Sequence, residues 1–289
     1  MKNINLQMLN NGLRKLIKRI LLKKNILSKF LLFIFKRNFA YSYFREKNSL
    51  INNWAWGDNE LSNFYYDLTE FNKEYLADLI SLVTGKSTEE IFGYFSELLN
   101  DKNLYNHLNN SLRNIPEYGK EIKFAYGRRI GWYAFVRILK PKLIIETGVD
   151  HGVGSCVLTS ALLRNKQEGF HGSYLGTDIN KKAGKLLKEP YSSIGKILYG
   201  DSIESLMKIK DRIDIFINDS DHSSEYEFQE YLTIEERISP DSIILGDNSH
   251  FTNCLSKFSK RTNRNFLFFK EIPKNHWYPG AGIGISFRK

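Results

Sequence analysis

From about residue 124 onward the apolar positions repeat. Short runs rich in Ile, Leu, Val and Phe end in or beside an acid: "KLIIETG", "GSYLGTD", "GKILYGD", "RIDIFIND" and "DSIILGDN". Helix-period segments follow them in turn: "SCVLTSALLRN", "INKKAGKLLKE", "SIESLMKI", "SEYEFQEYLTIEERI" and "FTNCLSKFSKR". Five strand–helix units predict an α/β fold with a mainly parallel sheet covered by helices on both faces. Two last apolar runs, "NFLFFKEI" and "GIGISF", have no helix between them and predict a hairpin at the end of the sheet. Ahead of the first strand, "AYGRRIGWYAFVRILKP" predicts a helix stopped by Pro141.

The first 123 residues have a different pattern. Leu13, Leu16, Ile17 and Ile20 fall at helical spacing with Arg14, Lys15, Lys18 and Arg19 among them. Within residues 11–37 the longest uncharged run is Phe30 to Phe35, far short of the ~20 residues that cross a bilayer. Two readings stand: a helix packed on the protein or on a second subunit, and a basic amphipathic helix on an anionic membrane face. Residues 54–115 read as mostly helical. "STEEIFGYFSELLND" opens on a capping box, Ser87 with Glu90, and sets Ile91, Phe95, Leu98 and Leu99 on one face. The domain division expected is a basic segment 1–50, a helical cap or oligomerisation region 51–123, and a catalytic domain 124–289.

Charge sharpens this division. The net charge is +10, yet residues 1–50 hold 12 of the 42 Lys and Arg and a single acid, Glu46. The remainder is near neutral, which argues against a basic groove across the whole protein and makes nucleic acid a poor partner. Two cysteines without partner spacing exclude a zinc knuckle and a disulfide framework, and a reduced, cytoplasmic setting is expected.

In an open α/β sheet, ligands bind beyond the carboxyl ends of the strands. Those ends carry Glu146, Gly148, Asp150, His151 and Gly152; Asp178 and Asn180; Asp201 and Ser202; Asp219, Asp221 and His222; and Asp247, Asn248 and His250. Each acid alone reads equally well as a turn or helix cap. Asp178, 30 residues after Gly148, suits ribose hydroxyls. The turn "ETGVDHGVGS" is not G-x-G-x-x-G, so a dinucleotide seat is only weakly supported, and no Gly-Lys-Ser/Thr follows, so it is not a P-loop.

"IIETGVDHGVGS", "YLGTDIN", "ILYGDS", "IDIFINDSDHSSEYEFQEY" and "IILGDN", in this order, resemble a class I S-adenosylmethionine-dependent methyltransferase. The resemblance covers roughly residues 124–289, and within the class it is to the catechol O-methyltransferase-like branch with its small-molecule and sugar O-methyltransferases. It implies a Rossmann-like seven-stranded sheet, mostly parallel, with a terminal antiparallel hairpin strand, plus the N-terminal helical segment. It places Glu146 and Gly148 by the methionine moiety of the cofactor, Asp178 on the ribose, and Asp201 with Ser202 near the adenine. Asp150, Gly152, Ser155 and Asp219 complete the expected cofactor set. Asp150 stands where the family turn has its middle glycine.

The same branch binds a divalent metal through an Asp after strand four and an Asp-Asn pair after strand five. The matching residues are Asp219, Asp247 and Asn248, hard oxygen ligands suited to Mg²⁺. His222 and His250 are the candidate bases for the acceptor hydroxyl. The function implied is O-methylation of a small molecule or of a sugar or glycan precursor, with membrane contact through residues 11–37, at the inner face, and a homo-oligomer as further expectations. The rival readings are an RNA methyltransferase and a cofactor-binding relative that does not methylate. "NDSDH" stands where base-amine chemistry favours Asp/Asn-Pro-Pro-aromatic, which weakens the first rival. "NHWYPGAG", with His276, Trp277 and Tyr278, reads as an acceptor wall or as a packed hairpin loop.

Overall fold

The structure is a computed structural model that describes residues 15, 26–57, 60–61, 63–119, 121–221 and 223–288. It divides into two compact units, residues 1–56 and 57–289. The division falls a few residues beyond the expected end of the basic segment, and it joins the cap region from residue 57 to the catalytic part.

The first unit contains helices α1 (Ile26–Ser42) and α2 (Arg45–Trp56). The only buried side chain on α1 is that of Ser28, while Ile26, Leu27, Phe30, Leu31, Phe33 and Ile34 are exposed. No helix among the described residues is long and apolar enough to cross a membrane. Leu13, Leu16, Ile17 and Ile20, the seam expected ahead of α1, lie outside the described residues.

The second unit is built on seven strands: β1 (Leu143–Thr147), β2 (Ser173–Asp178), β3 (Gly195–Tyr199), β4 (Ile213–Asn218), β5 (Ile238–Gly246), β6 (Asn265–Lys270) and β7 (Gly282–Phe287). Their order is β3-β2-β1-β4-β5-β7-β6. β7 runs antiparallel to both β5 and β6; every other pairing is parallel. The hairpin expected from the last two runs is therefore present, with β7 inserted between its partner and the parallel strands.

The unbroken apolar runs are explained by two cores. Ile144, Ile215, Ile217 and Leu245 pack on one face of the sheet, and Ile145, Phe216 and Ile244, their neighbours in sequence, pack on the other. Alternate residues point to opposite faces, so both sets must be apolar when both faces are covered. The first face is covered by α6 (Arg129–Leu139) and α7 (Val153–Gln167), and the second by α8 (Ser202–Lys208), α9 (Ser224–Ile234) and α10 (Cys254–Arg261).

Helices α3 (Glu70–Thr84), α4 (Thr88–Leu99) and α5 (Lys102–Leu112) join the first core. The N-cap half of the expected capping box is present, with Ser87 Oγ accepting from the Glu90 amide at 3.2 Å, while the Glu90 carboxylate accepts from the Tyr94 hydroxyl and pairs with Lys86. Ile91, Phe95 and Leu98 are buried, whereas Leu99 turns to solvent. The chain ahead of α3 is tied to the β6–β7 connection. Thr69 N–H donates to Ile272 O, and Asn72 bonds the backbone of Lys270 and Ile272.

One expected helix does not form. "INKKAGKLLKE" after β2 is a series of turns, followed by a single 3₁₀ turn at Tyr191–Ser193. Its amides are engaged elsewhere: Asn180 N–H donates to Asp178 Oδ1, Gly184 N–H to Asp150 O and Leu186 N–H to His151 O. An α-helix would need those amides for its own i→i−4 bonds. The segment instead braces the turn after β1.

Candidate active site

The strand order reverses between β1 and β4, and a cavity of about 830 Å³ opens beyond the strand ends there. That volume lies within the roughly 300–1,000 Å³ typical of small-molecule sites. Glu146, Gly148, Asp150, Asp178, Asp201, Ser202, Asp219, Asp247 and His250 all line it. Gly152, Ser155 and Asn248 do not, and His222 lies outside the described residues.

Glu146, next to last in β1, is almost fully buried. Its Oε2 accepts from the Tyr174 hydroxyl and from Ser155 Oγ at 3.3 Å. Burial pushes its pKa up to about 7, despite those bonds and the positive charge of Arg129. Ser155 therefore has a different place from the one expected: it holds Glu146 from beneath and does not face the cavity. At Gly148, φ is +75°, and a Cβ would lie 2.0 Å from the carbonyl oxygen of Asp219. The turn after β1 and the end of β4 touch backbone to backbone, which only glycine permits.

Asp150 takes the place of a glycine and keeps the left-handed backbone, at φ +46°. Asp is among the few residues that tolerate this region. Its Oδ2 accepts from Asn63 Nδ2 at 3.0 Å and from the Tyr118 hydroxyl at 3.3 Å. The substitution thus fastens the turn to the segment ahead of α3, whose Asn63, Phe64, Tyr65 and Tyr66 roof the cavity. Gly152, also left-handed at φ +97°, caps α7 and packs against Gly184. His151 packs on Tyr118 away from the cavity.

Asp178 accepts from the amides of Val149 and Asp150 at 3.1 and 3.0 Å through one oxygen and from Asn180 through the other. It therefore shapes the turn after β1 as well as facing the cavity. Asp201 caps α8, and the bond from the Glu204 amide chiefly holds its pKa below the usual carboxylate range. Tyr226 donates to Asp201 Oδ2 at 2.8 Å. Ser202 donates to the buried Glu230. Glu230 also receives Thr147 Oγ1 at 3.0 Å, Ser220 Oγ at 2.8 Å and Asn218 Nδ2, so one carboxylate joins β1, β4 and α8 beneath the cavity floor.

At the β4 and β5 ends, Asp219 and Asp247 lie side by side with Arg128. Arg128 Nε donates to Asp247 Oδ1, and Nη1 lies 3.3 Å from Glu271 Oε2. Burial, then the charge of Asp247, raises the pKa of Asp219 well above the usual carboxylate range, so this member of the pair holds the proton. Burial works the same way on Asp247, but Arg128 outweighs it and keeps Asp247 ionised. Burial also disfavours the Arg128 charge, yet Asp247 and then Glu271 hold its pKa above the ordinary arginine value. Asn248 faces away, with Nδ2 donating to Asp221 O at 3.3 Å and a buried Oδ1 without a partner among the described residues.

The expected Mg²⁺ set is therefore not assembled. Asp219 and Asp247 face the cavity, but Asp247 is bound to the Arg128 guanidinium and Asn248 turns away. The donors do not fit a resident divalent ion as they stand.

His250 accompanies the pair. Its Nδ1 lies 2.9 Å from the Asp247 carbonyl oxygen, which can only accept, so Nδ1 carries the hydrogen and Nε2 keeps its lone pair. Burial lowers the pKa of the ring, favouring the neutral form. Tyr278 also lines the cavity, as the acceptor-wall reading of its loop expects; His276 and Trp277 do not line it.

Arg128, Arg129, Tyr226, Glu230 and Glu271 went unread in the sequence. A signal existed for the arginines. Two cations open α6, where the helix dipole disfavours positive charge, and such a pair requires anions nearby.

Residues 145–249 match a family model described as a methyltransferase domain. No curated protein sequence matches the chain. Solved structures similar to it include an O-methyltransferase from Bacillus cereus in complex with SAH, at 14% identity and a TM-score of 0.47, covering 68% of this chain and 96% of that one. Another is the O-methyltransferase TomG from Streptomyces achromogenes, in complex with SAM and involved in tomaymycin synthesis, at 14% identity and TM-score 0.47, covering 68% and 94%. A third is the SAH-bound methyltransferase PaMTH1 from Podospora anserina, at 14% identity and TM-score 0.45, covering 79% and 100%. The matched segment runs from β1 to the turn after β5 and supplies most of the residues that line the cavity, so over residues 145–249 this chain is similar to a methyltransferase domain.

Proposed function

We propose that this protein transfers the methyl group of S-adenosylmethionine to a hydroxyl oxygen of a small polar acceptor, with sugars and glycan precursors as the leading class. The observation that carries the reading is the meeting, in one cavity, of the turn after β1 with His250, Asp219, Asp247 and Arg128 from the opposite side. The cofactor side fits: a buried acid for an ammonium, a backbone turn without side chains at Gly148, and Asp178 and Asp201 at the next two strand ends. When bound, the cofactor supplies a methyl group on a sulfonium, which leaves as a thioether.

The residues of this chain account for the rest. His250 Nε2 takes the proton of the acceptor hydroxyl as the O–CH₃ bond forms and the S–CH₃ bond breaks. Arg128 places a fixed positive charge beside the oxygen that becomes electron-rich. Tyr65, Tyr66 and Tyr278 line the cavity and shield the acceptor from bulk water. Mg²⁺, expected from the resemblance, takes no part in these steps, because the donors do not fit it.

The basic, apolar N-terminal segment is proposed to hold the protein at an anionic membrane face, where glycan intermediates are assembled. The exposed Ile26, Leu27, Phe30, Leu31, Phe33 and Ile34 of α1 support this. The transfer itself is tested by incubating the full chain with methyl-labelled S-adenosylmethionine and a panel of sugars, lipid-linked sugars, catechols and RNA, with mass spectrometry of the products. Label on an oxygen of a small acceptor supports the proposal. Label on RNA, or cofactor binding with no transfer to any class, overturns it in favour of one of its rivals.

A further inference from the structure

The place expected to hold a divalent cation already holds a cation supplied by the chain. Arg128 Nε is bound to Asp247, the carboxylate that the resemblance gives to the metal. The guanidinium cannot swing clear easily, because its other side is anchored on Glu271. That acid is fully buried and is itself fixed by the Tyr66 hydroxyl at 2.7 Å and by the amides of Arg128 and Ala281 at 2.8 and 3.2 Å. Nor can it neutralise itself to make room, since arginine stays protonated in proteins. A divalent ion drawn to Asp219 and Asp247 would meet this fixed charge at close range, with that of Arg129 in the same wall.

We infer that the Arg128 guanidinium takes the role of the divalent cation in this active site, so that the acceptor hydroxyl is oriented and its developing negative charge compensated without a metal. The inference rests on the methyl-transfer reading above. It accounts for two features that a metal site would not need. Arg128 stands at the N-terminus of a helix, against the helix dipole, and a fully buried glutamate accepts from both its backbone amide and its guanidinium. Among the described residues the two ion pairs of its head use Nε and Nη1, which leaves Nη2 for the acceptor oxygen.

The test is direct titration of the full chain with Mn²⁺, read by electron paramagnetic resonance in the presence and absence of S-adenosylhomocysteine. The wild type is expected to take up no stoichiometric Mn²⁺ at micromolar concentrations and to keep its methyl-transfer rate in excess EDTA. Arg128→Gln is expected to lose at least about 100-fold in kcat, the scale of one lost charge-stabilising donor, and to gain a Mn²⁺ signal as Asp219 and Asp247 become available. Arg128→Lys, which keeps the charge and is the safer variant to fold, is expected to exclude Mn²⁺ as the wild type does. Tight Mn²⁺ binding by the wild type, or a folded Arg128→Gln variant that gains no Mn²⁺ and keeps full turnover, would overturn the inference. S-adenosylhomocysteine binding, measured on the same samples by calorimetry, separates this from failure of the methyltransferase reading: that reading fails if the ligand does not bind at all.

Discussion

With the cofactor seated beside Glu146 as proposed, its binding is a proton-linked event. Burial raises the pKa of Glu146 to about 7 from an ordinary 4.5, so near neutrality the empty site holds a substantial fraction of neutral acid. The ammonium of a bound cofactor beside it favours the carboxylate and draws the pKa back toward 4.5. Binding then releases a proton below about pH 7, and affinity falls as pH falls. With those two values the association constant at about pH 5.5 is roughly 30-fold lower than at about pH 8. Stability follows the same linkage. For a raised carboxylate, stability is fully present below the unfolded pKa and is lost as pH rises through the folded one, so the empty protein loses up to about 3 kcal/mol between about pH 4.5 and 8 from this residue. Calorimetry with S-adenosylhomocysteine across this range, in buffers of different ionisation enthalpy, gives affinity and proton release together. Glu146→Gln, which cannot titrate, is the control for other groups, including the amine of the ligand. A wild-type affinity independent of pH, or the same pH slope in Glu146→Gln, would refute the reasoning.

Three further outcomes are expected. Gly148→Ala places a Cβ 2.0 Å from the carbonyl oxygen of Asp219 at a left-handed backbone position, so it should abolish cofactor binding or folding, checked by calorimetry and circular dichroism. Asp150→Ala should cost about 1–2 kcal/mol in thermal or urea unfolding, because alanine accepts the left-handed region poorly and makes neither bond to Asn63 or Tyr118; Asp150→Gly, which keeps the conformation and loses only the bonds, should fall between it and the wild type. His250→Ala should lower kcat by about 10²–10⁴-fold and leave S-adenosylhomocysteine affinity unchanged, since the ring faces the acceptor side; an equal loss of ligand affinity would count against its role as base.

Where the sequence was informative, the reason is physical. The strands between residues 143 and 246 could be read because both faces of the sheet are covered, which forces residues such as Ile144 and Ile145 to be apolar together. The rim could be read because an acid closes each strand. The segment 179–190 could not, since nothing local reveals that the amides of Gly184 and Leu186 are taken by carbonyls of the turn after β1. Ser155 looked like a cofactor ligand from its place in the glycine turn, but its position one turn into α7 directs it onto Glu146. Asn248 follows a ligand candidate in sequence, yet the 3₁₀ turn at Asp247–His250 sends neighbouring side chains in different directions, so Asp247 and His250 face the cavity and Asn248 does not. Arg128 and Glu271 are 143 residues apart, and their partnership exists only in the folded chain.

The antiparallel insertion of β7 has a consequence for the timing of activity during synthesis. Until residues 282–287 have left the ribosome, β5 is an open sheet edge displaying Ile244 and Leu245, and β6 has no strand beside it. The connection that β7 fixes also carries Glu271 and Ala281, which together hold Arg128 and Tyr66 in the cavity wall. A nascent chain can therefore complete the turn after β1, and with it a seat for the cofactor, well before it can assemble the acceptor side. Products cut short before β7 would be inactive and would expose an edge prone to aggregation, which makes them readily recognised for disposal by proteases and chaperones.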